Sequence, residues 1–148
     1  MEKENIRFKK QGIPINIDSF CMQEGRTYRG LHSHPAVEII MVKNGKLNCY
    51  VNGELIEVLK NQTILINSNI GHRLVSDNAD ITYIQIDISY FKDSSFNGKL
   101  SAIYEFVLLS RSKSYMLFSN NKGIDDILLK ILKHYHSDKE WSRWYLTA

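Results

Sequence analysis

Cysteine and long apolar runs are both scarce in this sequence. Only Cys21 and Cys49 are cysteines among the 148 residues, and their spacing matches no metal-binding motif. Two reduced thiols are therefore expected rather than a disulfide framework. No apolar run approaches the length of a membrane span, and the charged first ten residues lack the core of a signal peptide. These absences predict a cytoplasmic protein that does not bind a membrane.

Strong net charge and the common catalytic motifs are also missing. The chain has 19 basic and 16 acidic residues, a formal net charge of +3, which is too small and too dispersed to predict nucleic-acid binding. There is no Ser-His-Asp order, Walker loop or glycine-rich nucleotide motif. At this length the chain can form about one domain with an appendage.

Potential metal or ligand donors are concentrated between His32 and His72. In an extended chain the side chains of His32, His34 and Glu38 point to one side, because strand side chains alternate with period two. Pro35 favours that geometry, since the residue before a proline is restricted to extended conformations. His72 can complete the set from a later strand end.

Two Asn-Gly pairs, Asn44-Gly45 and Asn52-Gly53, lie between alternating apolar segments and predict two tight hairpin turns. In this register one apolar face lines the inside of a barrel, with a carboxylate at one end. The members of that face are Glu38, Ile40, Val42, Leu47, Cys49, Val51, Ile56 and Val58. The opposite face would carry Ile39, Tyr50 and Leu55 as neighbours, to be covered by a helix or a partner subunit.

The run His32-x-His34-x3-Glu38-x6-Gly45, with His72 downstream, resembles the two-part motif of the cupins. The order of strands, turns and final histidine is also similar to the effector-binding domain of AraC/XylS-family transcription regulators. The resemblance implies a mainly β fold, a cupin double-stranded β-helix (a small jelly-roll barrel) followed by C-terminal α-helices.

The chain divides into three expected parts: a flexible arm at 1–11, a cupin barrel at 12–92, and a helical segment at 93–148. Helical periodicity is clear from Ile124 to Tyr135, with Asn120 or Asn121 as the cap, and is also present near 100–108. A last helix would begin near 138 and still keeps its spacing at the final residue. We therefore expect a dimerisation and linker segment that is cut before a DNA-binding domain.

Three roles are open for His32, His34, Glu38 and His72. They suit a divalent metal such as Fe, Mn, Ni or Zn; they suit a metal-free pocket for a small polar effector; or they only satisfy one another structurally. AraC/XylS-like domains typically keep similar residues without a catalytic metal, so the resemblance favours an effector site with no cofactor and no catalytic residue.

The resemblance thus implies a non-enzymatic sensor, a homodimer that binds a small-molecule effector and contacts DNA only through a domain absent from this chain. Two alternatives are a small metal-dependent cupin enzyme, an isomerase or dioxygenase in which the same four residues hold the metal, and a binding module without an output domain.

Overall fold

The computed structural model describes residues 1–9, 15–23, 25, 27, 30–87 and 112–136. Within this part the chain forms eight strands and one helix. They are β1 (Glu2–Lys3), β2 (Ile15–Cys21), β3 (His32–Ser33), β4 (Val37–Val51), β5 (Glu54–Val58), β6 (Gln62–Ile66), β7 (His72–Ile86), β8 (Tyr115–Ser119) and α1 (Lys122–Tyr135). The fold is therefore mainly β, and the described residues beyond the barrel contain one helix. The helices predicted near 100–108 and from 138 onward lie outside the described residues.

Two long strands, β4 and β7, form the framework of the barrel. They pair antiparallel over their whole length, from Val37 opposite Ile86 to Val51 opposite His72. The first half of β4 also pairs with β6 and its second half with β5, while β7 pairs with β2 at one end and β3 at the other. Because both strands change flanking partners near their middle, one long ribbon supplies both walls of the barrel. Strands β1 and β8 extend the edges at β3 and β6.

The first predicted hairpin is wrong, because Asn44-Gly45 lies inside β4 and not at a turn. The pairing of β4 with β7 shifts register on both sides of Asn44, as at a β-bulge. Gly45 has φ of 72°, and a Cβ there would collide with the backbone carbonyl of Asn78. The second prediction is confirmed: Asn52-Gly53 joins β4 to β5, with Leu47 opposite Val58 and Cys49 opposite Ile56.

The predicted inner face is nevertheless confirmed. A bulge, like a two-residue turn, changes which alternate residues point inward, so even-numbered residues before Asn44 and odd-numbered residues after it share one side. Tyr50, on the opposite side from Cys49, is only half-buried. The apolar members of the face are Ile40, Val42, Leu47, Cys49, Val51, Ile56 and Val58, all buried in one cluster with Leu74, Ala79 and Ile81.

Helix α1 covers the outer face of the sheet where β2, β6, the first half of β4 and the second half of β7 lie. Leu128, Ile131 and Tyr135 are buried against a second cluster that includes Ile39 and Ile84. The helix begins at the predicted cap, where the Asn121 Oδ1 accepts a hydrogen bond from the Ile124 backbone N–H at 3.2 Å.

The predicted outer patch is not continuous, because no hairpin brings the two halves of β4 together. Ile39 is buried beneath α1, whereas Leu55 lies on β5 and is 51% exposed. Tyr50 lies on the second half of β4, where the Arg73 guanidinium stacks 4.7 Å from its ring centre.

The predicted arm at 1–11 contains a strand. β1 pairs in parallel with β3, with Glu2 opposite His32 and Lys3 opposite Ser33. The Glu4 backbone N–H donates to the Ser33 carbonyl at 2.8 Å, and Lys9 forms an ion pair with Asp18. Residues 2–4 therefore lie against the strand that carries His32. In the described part of the chain, no helix is long and apolar enough to cross a membrane.

Candidate functional site

The four predicted site residues meet inside the barrel. His32 and His72 are opposite each other on β3 and β7, His34 follows β3, and Glu38 lies on β4. All four are buried, with relative exposures between 1% and 3%. One potential donor atom from each of the three histidines lies within 4.8 Å of the other two. We call these four residues the histidine centre.

Backbone carbonyls fix the orientation of each imidazole. Nδ1 of His32 donates to the Gly30 carbonyl at 2.8 Å, and Nδ1 of His72 to the Ile70 carbonyl at 2.8 Å. Nδ1 of His34 donates to the Ala36 carbonyl at 3.0 Å. A carbonyl oxygen can only accept, so the proton of each neutral ring must be on Nδ1 and the Nε2 lone pair faces the centre.

Glu38 contacts two of the imidazoles. Its Oε2 lies 2.8 Å from His34 Nε2 and 3.5 Å from His72 Nε2. Burial by itself raises the pKa of Glu38, but its contacts with His34 and His72 outweigh this and hold the pKa well below the usual range. Because His34 Nδ1 already donates to a carbonyl, the short His34–Glu38 contact requires one shared proton. A cation bound between these two groups would displace that proton.

The remaining imidazoles have different electrostatic environments. Burial lowers the pKa of His32, and the hydrogen bond to Gly30 offsets only part of this effect. Burial also opposes charge on His72, but Glu38 beside it raises the pKa of His72 above its ordinary value. His72 therefore holds a proton more firmly than His32.

Three further polar residues, two in contact with the centre and one behind them, were not among the predicted site residues. Gln85 on β7 is buried, and its Nε2 lies 3.4 Å from Glu38 Oε2. Asn16 on β2 is buried behind it, with Nδ2 3.4 Å from Gln85 Oε1. Glu4 places Oε2 3.5 Å from His32 Nε2. The alternation of β7 puts Gln85 on the face of Ile81 and Tyr83, but does not say that this face points inward.

The part of the chain that contains the histidine centre is similar to a known protein family. Residues 19–86 match the profile of the cupin domain family. The matched segment includes His32, His34, Glu38 and His72. This segment is similar to cupin domains, and we refer to it as the cupin domain. No curated protein matches the sequence significantly.

The cupin domain and the helix beyond it resemble solved structures of ToxT from Vibrio cholerae. An apo ToxT variant is 10% identical, with a TM-score of 0.57 over 94% of this chain and 54% of that chain. ToxT bound to (E)-4-(8-methylnaphthalen-1-yl)but-3-enoic acid is 14% identical, with a TM-score of 0.56 over 88% of this chain and 52% of that chain. The chain thus spans about half the length of ToxT, and at this identity the likeness shows the fold alone.

Oxalate decarboxylase from Bacillus subtilis is a further, weaker match. A variant of that enzyme is 19% identical, with a TM-score of 0.46 over 57% of this chain and 23% of that chain. At this TM-score the similarity does not bear on the function of the cupin domain.

The donor set of the cupin domain fits a divalent transition metal. The Nε2 atoms of His32, His34 and His72 converge, and each ring donates its other N–H to a carbonyl, as metal-ligating histidines usually do. His72 Nε2 is buried and, among the described residues, has no hydrogen-bond partner. Imidazole with carboxylate suits Fe, Mn, Ni or Zn. When bound, such an ion would supply Lewis-acid polarisation of an oxygen ligand.

One surface cavity lies away from the histidine centre. A cavity of about 460 Å³ lies between the β4–β5 hairpin and the segment leading into β8, and Asn52, Glu54, Lys113 and Tyr115 are among its lining residues. None of the four residues of the histidine centre lines it. Because those four side chains are almost fully buried, the centre as it stands favours a small ion over a bulky organic molecule.

Proposed function

We propose that this chain is the ligand-sensing domain of an AraC-type transcription regulator, with the ligand bound at the histidine centre. The observation that carries the proposal is the convergence of three fixed Nε2 atoms beside a buried carboxylate. Within this set, His72 Nε2 is buried with no hydrogen-bond partner among the described residues, which is costly because the atom has lost its hydration. A small polar ligand, or a divalent metal through which the ligand binds, would satisfy it.

The regulator assignment draws support from the extent of the likeness to ToxT, an AraC-family protein. That likeness continues past the cupin domain to 94% of this chain. ToxT has been solved with an unsaturated fatty acid and with (E)-4-(8-methylnaphthalen-1-yl)but-3-enoic acid bound. In this proposal the domain is cytoplasmic and not an enzyme, forms a homodimer, and affects DNA binding by a region outside these 148 residues.

The test is a thermal-shift screen of protein first stripped with a chelator. Divalent metals, sugars, organic acids and phenolics are added singly and in metal–organic pairs. A ligand at 100 times its Kd stabilises the folded state by about 2.7 kcal/mol, which raises the Tm of a domain of this size by roughly 5–20 °C.

The matched variants are His72→Gln, inside the centre, and His136→Gln, at the end of α1 and outside it. We expect the shift to disappear in the first variant and to persist in the second. Equal shifts in wild type and His72→Gln would show that the ligand binds elsewhere, and no shift with any compound would refute the proposal.

A metal-dependent cupin enzyme is the second candidate, because the same three Nε2 atoms would hold a catalytic ion. The two candidates differ in their response to substrate. An enzyme loaded with metal consumes an organic acid or sugar catalytically, whereas a sensor binds it stoichiometrically and releases it unchanged. Product analysis after incubation with each compound that shifts the Tm distinguishes them.

A further inference from the structure

Glu4 approaches the histidine centre from outside the cupin domain. Its Oε2 lies 3.5 Å from His32 Nε2, and its side chain is 15% exposed against 2% for His32. The position is fixed by backbone contacts, since β1 pairs with β3 and the Glu4 N–H donates to the Ser33 carbonyl at 2.8 Å. The Glu4 carboxylate is therefore held beside the His32 imidazole by the pairing of β1 with β3 and by its own backbone hydrogen bond.

The spacing of Glu4 and His32 is that of two ligands on one ion. Metal–ligand bonds of about 2.0–2.2 Å separate neighbouring donor atoms by roughly 3.0–3.6 Å, depending on the bond angle. The Glu4–His32 distance of 3.5 Å falls in this range, as does the 3.5 Å between Glu38 and His72. The distances from Glu4 to His32 and from Glu38 to His72 are thus both those expected for two donor atoms bound to the same metal ion.

The charge of a bound divalent ion also favours a second carboxylate ligand. Three neutral imidazoles and one carboxylate leave one positive charge of a divalent ion uncompensated, and buried charge is costly unless it is paired. A second carboxylate makes the set neutral when the ion is bound. The same two carboxylates would repel an anionic ligand placed directly among the imidazoles.

The segment after Glu4 also joins the centre by a second route. The Arg7 carbonyl accepts from Asn16 Nδ2 at 2.9 Å, and the Lys9 N–H donates to Asn16 Oδ1 at 3.0 Å. Asn16 contacts Gln85, which contacts Glu38. Residues 4–9 are therefore linked to the centre at two points, directly at His32 through Glu4 and indirectly at Glu38 through Asn16 and Gln85.

We propose that Glu4 is an additional metal ligand at the histidine centre, so that a bound divalent ion takes one carboxylate from the barrel and one from the residue that follows β1. The inference rests on the proposed function in its metal-bound form. It has a structural consequence: ion binding and the docking of residues 2–4 on β3 stabilise each other.

The test uses Co²⁺ as the probe and protein without an N-terminal tag. Glu4→Gln removes the carboxylate charge while keeping the side-chain shape, and Glu2→Gln removes the same charge from an exposed position two residues earlier, in β1. Circular dichroism confirms that both variants are folded. We expect Glu4→Gln to bind Co²⁺ about tenfold or more weakly by calorimetry and to alter the cobalt absorption spectrum, while Glu2→Gln matches wild type in both measurements.

Limited trypsin digestion gives an independent measurement, because Lys3 and Arg7 flank Glu4. Co²⁺ should slow cleavage at these residues in wild type and Glu2→Gln, and have much less effect in Glu4→Gln. Identical affinities, spectra and cleavage in the two variants would overturn the role of Glu4 while leaving the metal centre intact. If wild type itself binds no Co²⁺, the metal-bound form of the proposed function fails and this inference fails with it.

Discussion

At the scale of single residues, Gly45 and Gly53 share a backbone conformation but differ in their surroundings. Both have positive φ, 72° and 81°, yet a Cβ on Gly45 would collide with the Asn78 carbonyl, whereas a Cβ on Gly53 meets nothing within 4 Å. Gly45 therefore permits the close approach of β4 and β7 at their bulge.

These surroundings predict unequal costs for alanine. Gly53→Ala should lose about 1–2 kcal/mol from the left-handed conformation alone, and Gly45→Ala about 2–5 kcal/mol once overpacking is added. Urea denaturation of both variants measures the difference. Equal losses would mean that the β4–β7 ribbon can separate at the bulge without cost.

The two cysteines should differ in reactivity. Cys49 is fully buried on the inner face, and burial raises the pKa of its thiol, mainly by desolvation. Cys21 is exposed, although a hydrogen bond with Asp80 raises its pKa as well. A thiol reagent should modify one cysteine per folded chain, slowly, and the second only after denaturation.

The variant Cys21→Ser identifies which thiol is modified. Folded Cys21→Ser should show almost no reaction, and its single remaining cysteine should react fully in denaturant. Rapid modification of folded Cys21→Ser would show that the barrel interior opens readily to solvent.

At the scale of elements, α1 contributes mainly through one face. Leu128 is 1% exposed and packs against the outer face of the sheet, whereas its neighbour Leu129 is 59% exposed. We expect Leu128→Ala to destabilise the fold by about 2–5 kcal/mol and Leu129→Ala by less than about 0.5 kcal/mol. Chemical denaturation compares them directly, and equal effects would contradict the packing of α1 on the sheet.

The strand β4 shows what alternation in the sequence can and cannot predict. The inner face was predicted correctly because apolar alternation changes phase between Val42 and Leu47. A hairpin at Asn44-Gly45 and a bulge at the same place produce the same change of phase, so local pattern could not separate them. The deciding fact is the pairing of both halves of β4 with β7, from Val37–Ile86 to Val51–His72, which joins residues far apart in sequence.

The histidine centre shows the same limit. His32, His34 and Glu38 are close in sequence and share one parity, so their convergence was predictable, and His72 was added from its position at a later strand end, in agreement with the cupin resemblance. Glu4 and Gln85 reach the centre only through strand pairings at long range, and β1 is too short to show any periodicity. Local sequence therefore predicted the four residues of the histidine centre but not Glu4 and Gln85, which contact them.

At the scale of the whole molecule, the barrel and the helix have separate apolar clusters on the two sides of one sheet. The inner cluster fills the inside of the barrel, and the outer one joins β2, β4, β6 and β7 to α1. The first half of β4 contributes to both, with Glu38 and Ile40 facing inward and Ile39 facing α1. The histidine centre and the packing of α1 are thus connected through a single strand.

The surface of the molecule predicts how it behaves towards DNA. The formal net charge is +3, and several basic side chains already have partners: Lys9 with Asp18, Lys46 with Glu57, and Arg73 with the Tyr50 ring. The described part of the chain has one helix and therefore contains no helix-turn-helix. These features leave only weak electrostatic attraction to phosphates.

We therefore expect this chain alone to bind duplex DNA no more tightly than a Kd of about 10⁻⁶–10⁻⁴ M at physiological salt, with no preference among sequences. Fluorescence anisotropy with several unrelated labelled duplexes, at low and physiological salt, measures both affinity and preference. Binding should weaken as salt rises, since attraction between phosphates and a few basic side chains is screened. Tight binding to one duplex that survives physiological salt would show that these 148 residues read DNA themselves, and the proposed division between sensing and DNA-binding parts would be wrong.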